Sequence, residues 1–337
     1  MPSSAAIDAC REQQRLAWAR SAVDDAQASL QRASVDAGFR SYWRITHGDG
    51  SCIVMDSPPA LEDVRPWLRI RALLARGGVR VPEVLAEDTA QGLLLLEDLG
   101  SDTYLQALAD DNADALFDDA IAQLLKLQAI AVPEGFPAYD EAKLVRELRL
   151  FDEWFLGRHL GVALDCEQHD ALDSIYRHLI DAALAQPQVL VHRDFMPRNL
   201  MPVADGPAVL DFQDAVVGPI AYDPLCLFKD AFLSWPEARV DDWLDRYHAC
   251  ASTPGLPIPT RDRVRRDADL IGVQRHLKVL GIFARLHHRD GKPKYLEDAP
   301  RFLGYLDGVL PRYPELAALS QLLDRHVRPA LANPPGR

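Results

Sequence analysis

One short island of β-forming residues interrupts a long run of helical periodicity, and it limits the fold more than any other feature of the chain. The island runs from Val189 to Phe212. It reads Val-Leu-Val-His192-Arg193-Asp194-Phe-Met-Pro-Arg198-Asn199-Leu-Met, and after a turn Ala-Val-Leu-Asp211-Phe212-Gln213-Asp214. An apolar strand leads into His-Arg-Asp, and Asn199 follows Asp194 by five positions. A second apolar strand then delivers Asp211 and Phe212. Strands joined by short turns would converge Asp194, Asn199 and Asp211 on one point, so the helical part of the fold must hold such a hairpin.

These residue types at this spacing suit phosphoryl transfer, where catalysis is positioning plus neutralisation of charge. One carboxylate accepts the proton of the attacking hydroxyl, the role expected of Asp194. A carboxylate and an amide oxygen hold magnesium, a hard ion that prefers oxygen ligands. Asp211 and Asn199 suit that role. A lone His-Arg-Asp would be a chance tripeptide, but here the spaced asparagine, the flanking strands and the Asp-Phe accompany it.

The rest of the chain divides around this island. Residues 8–30 have helical spacing, with Leu16, Ala17, Val23 and Leu30. Ser41–Thr46 and Cys52–Met55 are aromatic and β-branched around His47-Gly-Asp-Gly50, a hairpin. Asp36–Ser41 could turn a preceding one. Leu61–Arg76 is helical and stops at Gly77-Gly78. Val79–Leu85 and Gly92–Leu96 read as strands. Helices are then expected at Asn112–Ile130, Glu141–Leu156, Glu167–Ala185, Ala238–Cys250 and Arg261–Leu286. The predicted class is α+β in two lobes: a small mixed N-lobe over 1–96, a hinge at 97–101, and a larger, mainly helical C-lobe over 102–337. A chain of 337 residues is too long for one core.

Composition narrows the setting. The net charge of −13 argues against a nucleic-acid surface, which needs clustered Lys and Arg. No stretch reaches the ~20 apolar residues of a membrane span, and the N-terminus lacks a secretory pattern. Five scattered cysteines show no CxxC pair, which points to a reducing cytoplasm. No protein partner is predicted.

The island resembles the aminoglycoside phosphotransferase and choline-kinase superfamily, which shares the protein-kinase-like fold. Gln213 stands where protein kinases have glycine, and members of this group vary there. Gly218-Pro-Ile-Ala-Tyr-Asp223 resembles the segment after the metal aspartate, in which Asp223 would buttress the catalytic loop. Five stretches taken together are similar to the anomeric N-acetylmuramate/N-acetylglucosamine kinases of cell-wall recycling: Val54–Pro59, Leu93–Gly100, Asp211–Ala215, Gln274–Arg285 and Arg289–Lys292. The similarity covers roughly residues 30–310. It implies an ATP- and magnesium-dependent enzyme that phosphorylates an amino sugar at its anomeric hydroxyl.

The chain departs from the protein-kinase pattern in its first lobe. There the third strand carries a lysine that holds the α- and β-phosphates. Here that position is Met55, and none of the six lysines lies in the first 125 positions. The phosphate loop has Gly38 as its only glycine. Arg40 or Arg44 could take the phosphate role, since a guanidinium grips phosphate oxygens well. Glu62 or Asp63 could orient such an arginine. Glu97-Asp98-Leu99 fits a hinge whose main chain bonds adenine. Candidate sugar contacts are Glu147, Arg149 and Trp154 in one helix, and Gln274, Arg275 and Lys278 in another. Adjacent His287 and His288 do not face one metal site. Two other readings stay open: a phosphotransferase for a cationic aminoglycoside or choline-type substrate, whose pocket would be lined by carboxylates, and a pseudokinase that binds nucleotide without turning it over.

Overall fold

A computed structural model describes residues 4–34, 40–48, 50–253 and 255–332. The chain forms two compact units: residues 1–107 with 198–213, and residues 108–197 with 214–337. No helix among the described residues is long and apolar enough to cross a membrane.

The first unit is built on a five-stranded sheet of order β1-β2-β3-β5-β4. Helix α1 (Ser4–Ala22) precedes β1 (Ser29–Ser34), β2 (Ser41–His47) and β3 (Gly50–Asp56). The hairpin expected around residues 47–50 is present, with Ser41 opposite Asp56 and His47 opposite Gly50. The turn expected at Asp36–Ser41 falls largely outside the described residues. Helix α2 (Arg65–Arg76) starts later than its periodicity suggested. Asp63 accepts the Arg65 backbone N–H at 3.0 Å, and Pro66 fits the first turn because its missing N–H is not needed there. β4 (Val84–Asp88) and β5 (Leu93–Glu97) follow. The strand read at Val79–Leu85 begins only at Val84. Pro82 has no N–H for a ladder, and its carbonyl accepts from Arg71 Nε at 2.9 Å. One face of the sheet buries Ile45, Cys52, Val54, Leu93 and Leu95 against Ala19 of α1. A short helix, α3 (Tyr104–Ala107), closes this stretch.

The β-island forms short strands rather than one long hairpin: β6 (Gln188–Val191), β7 (Leu200–Met201), β8 (Ala208–Val209) and β9 (Val216–Pro219). β7 pairs with β8, and both belong to the first unit. β6 pairs with β9 in the second. Strand β9 was not legible, because Gly218-Pro219 reads as a break.

The second unit is helical around that pair. Its helices include α4 (Ala113–Gln128), α5 (Glu141–Leu150), α6 (Cys166–Leu184), α7 (Tyr222–Phe228), α8 (Glu237–Ala251), α9 (Arg261–Asp290) and α10 (Ala299–Val309). The helix expected at Glu141–Leu156 changes character at Phe151 and continues as a π-helix to His159. Helix α9 presses on that junction: a Cβ on Gly281 would lie 2.3 Å from the Leu150 carbonyl carbon. Only glycine permits such an approach.

Candidate functional site

The side chains singled out from the sequence fall into two groups, one in each unit. In the first unit, a cavity of about 300 Å³ is lined by Arg44, Glu97, Leu99, Asn199 and Asp211, among others. Five of the residues singled out from sequence thus meet around one space. Apolar walls come from Ile53, Leu96, Met201 and Leu210, with Trp67 and Phe212 in ring contact at 5.0 Å. Asn199 lies in a 3₁₀ turn, and its carbonyl accepts the Leu210 N–H at 2.9 Å, which ties the two ends of the β7–β8 hairpin together. Asp211 has φ of +60°, a left-handed conformation that costs a non-glycine residue energy and clusters at functional sites. Its Oδ1 accepts from Gln213 Nε2 at 2.7 Å, so Gln213 has a use where protein kinases have glycine.

The cations of this unit are mostly committed. Arg44 donates to both carboxylate oxygens of Asp98 (2.5 and 3.0 Å), to the Gly100 carbonyl (2.8 Å) and to Ser101 Oγ (3.1 Å). It braces the expected hinge. Arg80 grips both oxygens of Glu97, at 2.5 and 2.8 Å. Each arginine holds its carboxylate below the ordinary range: in Glu97 the Arg80 hydrogen bonds outweigh burial, and in Asp98 burial opposes but the Arg44 and Ser51 hydrogen bonds win. Arg40 differs. Its Nε forms an ion pair with Glu62 Oε2 at 3.3 Å, its side chain is only 10% exposed, and its Nη1 is buried without a hydrogen-bond acceptor. Glu62 thus does orient an arginine, although it lies ahead of α2 rather than on it. Met55 is fully buried, opposite Tyr42 and Leu94 in the sheet.

In the second unit, Asp223 accepts the backbone N–H groups of His192 (2.7 Å) and Arg193 (3.0 Å). Burial raises the Asp223 carboxyl to about 6, against His192 and these backbone donors, which favour the charged form. The buttress role expected of Asp223 is what the geometry provides. Arg193 has φ of +76°, and its carbonyl accepts from the Cys226 thiol at 3.4 Å. The Asp194 N–H donates to His192 Nδ1 at 3.2 Å. The turn that presents Asp194 is thus fixed by buried partners.

Beside it lies a cluster that only partly matches the expected sugar contacts. Glu147 of α5 accepts from Arg193 Nη2 (2.6 Å), from Lys278 Nζ (3.2 Å), from Gln274 Nε2 (3.3 Å) and from the Tyr139 hydroxyl. Burial pushes the Glu147 carboxyl up, but Lys278 and Arg193 outweigh it and hold it below the ordinary range. Lys278 also donates to the Tyr222 hydroxyl at 3.1 Å. Arg275 is buried, with one hydrogen bond to the Lys229 carbonyl at 3.3 Å. Burial opposes charge on Arg193, Arg275 and Lys278, yet all three are held protonated by surrounding groups that include Asp194. Arg149 and Trp154 are placed elsewhere. Arg149 pairs with Asp152 (3.1 Å) and Asp173 (2.6 Å), and the Trp154 ring faces Arg158. Among the described residues neither touches the Glu147 cluster. Tyr139 had no signal in the sequence, since it precedes its helix and matches no motif. His159, which lies 3.3 Å from His288 across two elements, was equally hidden.

The sequence profile of the phosphotransferase enzyme family matches residues 29–265. An N-acetylmuramate/N-acetylglucosamine kinase of Pseudomonas aeruginosa is 54% identical over 297 residues, covering 88% of each chain. One of Pseudomonas putida is 52% identical, covering 88% of this chain and 87% of its own. One of Neisseria meningitidis is 44% identical, covering 91% and 93%. Among solved structures, ADP-bound aminoglycoside phosphotransferase APH(2'')-Ib aligns with a TM-score of 0.59 at 17% identity, over 86% of this chain and 96% of its own. Choline kinase LicA from Streptococcus pneumoniae aligns with a TM-score of 0.61 at 12% identity, over 88% and 99%. The fold is the protein-kinase-like one expected from the sequence.

Proposed function

The chain belongs to the phosphotransferase enzyme family, and we propose that within it the protein is an ATP-dependent sugar kinase that phosphorylates the anomeric hydroxyl of N-acetylmuramate and N-acetylglucosamine. The sugar 1-phosphates would serve cell-wall recycling. One observation carries the choice of acceptor. Around the Asp194 turn stand the buried cations Arg275 and Lys278 and the half-buried Arg193, while the carboxylates nearby, Glu147, Asp223 and Asp230, already accept from donors of the protein itself. A cationic aminoglycoside or choline would meet like charge there, at a cost in a low-dielectric site. A neutral or anionic amino sugar would not. Lys278, Arg275 and the Gln274 amide are the groups offered to the sugar. Arg149 and Trp154 carry less of this reading, because both are engaged on other surfaces.

In this reading Asp194 accepts the proton of the attacking C1 hydroxyl. Adenine would stack in the apolar part of the first-unit cavity, against the hinge at 97–101. Among the described residues nothing bonds the Leu99 N–H, so it is available to a base edge. Arg40 is not among the residues that line that cavity, but with its Nε paired to Glu62 and its Nη1 buried without a hydrogen-bond acceptor it is the arginine left to replace the missing lysine on the phosphates. Asn199 and Asp211 fit magnesium: they supply hard oxygen donors to one cavity, and the strained backbone aims Asp211 there. A bound ion would neutralise charge on the phosphates. Five cysteines without disulfides suit a cytoplasmic setting.

Release of ADP over a panel of free sugars, kanamycin and choline tests the reading. Turnover with the N-acetyl sugars and none with the cations is expected. The buried Met55 favours a second reading, a nucleotide-binding pseudokinase, and the same assay separates it, since a pseudokinase releases no ADP with any acceptor.

A further inference from the structure

Glu147 was expected to touch the sugar, but its carboxylate is occupied. Two donors reach each oxygen: Arg193 and Lys278 on Oε1, Tyr139 and Gln274 on Oε2. A carboxylate has about four lone-pair sites, so little capacity is left for a ligand hydroxyl. The donors come from the segment before α5, from the catalytic turn and from two successive turns of α9.

Arg193 is the residue through which this cluster reaches the chemistry. It immediately precedes Asp194 in the chain. Its N–H is held by Asp223, its carbonyl by the Cys226 thiol and its guanidinium by Glu147. With φ at +76° the residue sits in a conformation that needs such over-determination to persist. Elsewhere, order in kinase loops is commonly supplied by a phosphorylated residue that pairs with arginine. Here a genetically encoded carboxylate already fills that place.

We propose that Glu147 is a positioning residue for catalysis: it acts as a permanent counter-charge to Arg193, fixing the turn that presents Asp194, and couples that turn to Gln274 and Lys278 of α9. The catalytic turn is then set without covalent modification. The role rests on the assignment of Asp194 as base, and it differs from sugar binding because Glu147 acts through Arg193.

Steady-state kinetics with ATP and N-acetylglucosamine test it, using wild type, Glu147→Gln, Glu147→Asp, Arg193→Gln and the double variant Glu147→Gln/Arg193→Gln. Wild-type turnover checks the sugar-kinase reading itself. The ratios among variants check the positioning role. Glu147→Gln should lower kcat about 100-fold, the scale of a misplaced catalytic group. Both KM values should stay within about two-fold, because a group that acts on kcat alone is not a ground-state ligand. Glu147→Asp should recover much of the loss. In the Arg193→Gln background, the Glu147→Gln change should cost less than about three-fold, because the shared path is already cut. The proposal is overturned if KM for the sugar rises while kcat is kept, if the two changes multiply independently, or if Glu147→Gln melts lower but turns over normally. Should Glu147→Gln not fold, Arg193→Gln decides, with Glu147→Asp expected between it and wild type: loss of kcat without change in KM in Arg193→Gln supports the role, and unchanged kcat there refutes it.

Discussion

The two candidate sites treat charge in opposite ways. In the first, the arginines and carboxylates expected around the nucleotide form separate pairs that are partly open to solvent: Arg40 with Glu62, Arg44 with Asp98, Arg80 with Glu97; Asp56, outside that set, holds Arg11 and Arg15 in buried surroundings. In the second, Glu147 and Asp223 each gather several donors in buried surroundings. Open pairs are individually worth little, with a median near 0–1 kcal/mol. Buried networks are costly to break, because removing one member strands the others. The contrast follows the work proposed for each unit. A nucleotide must enter and leave, so its cavity uses groups that can exchange partners. The catalytic turn must not move, so it is locked from several sides.

The contrast is broken most sharply at Asp194 and Asp211. Asp194→Asn should lower kcat about 100-fold or more with ATP binding kept, since a general base contributes on that scale. Near-normal turnover in steady-state kinetics would remove Asp194 from its role. Asp211→Ala should abolish magnesium-dependent ATP binding in titration calorimetry, and unchanged affinity would break the assignment of the first-unit cavity.

A smaller effect is expected at Arg40. A charge-assisted hydrogen bond contributes about 1.5–3 kcal/mol, so Arg40→Ala should raise KM for ATP at least about ten-fold. Arg44→Ala should act less on KM, because its guanidinium is spent on the hinge. Met55→Ala should lower the melting temperature through lost packing, ~2–5 kcal/mol for a buried methionine, and leave KM for ATP in place. If Arg44→Ala raises KM as far as Arg40→Ala, the division of roles between the two arginines is wrong.

The smallest effect separates activity from stability by pH. The Asp223 carboxyl is raised to about 6. Protonation gives it a hydrogen to donate where it now accepts two N–H bonds, so kcat should fall a few-fold as pH drops through about 6. Stability should not follow. A raised carboxyl makes the folded state bind more protons than the unfolded one, so the Asp223 contribution is fully present below the unfolded value near 4 and is lost as pH rises through 6. Rate and melting profiles measured together would show it. A kcat that stays flat to pH 5 would contradict the link between Asp223 and the turn.

What the sequence disclosed follows the same division. That Asn199 and Asp211 meet around one cavity was legible because their spacing is local and their residue types have few other uses together. Asp223 was legible from its segment. The commitments of Arg40 and Arg44 were not, since their partners lie 22 and 54 positions away. For Glu147 the position on α5 was readable and the partners were not: a carboxylate facing a ligand and one facing Arg193 look alike in sequence. The π-helix at Phe151–His159 escaped because an i→i+5 turn leaves no clear hydrophobic period. Its only hint was Gly281, more than a hundred residues on.

The sugar-kinase account stands or falls on where the phosphate goes. Phosphorus–proton NMR of the product made from N-acetylglucosamine and ATP measures this directly. The account predicts a phosphate coupled to the anomeric proton, and no turnover of the methyl glycoside, whose C1 hydroxyl is blocked. Coupling to the C6 protons, or phosphorylation of the methyl glycoside, would contradict it.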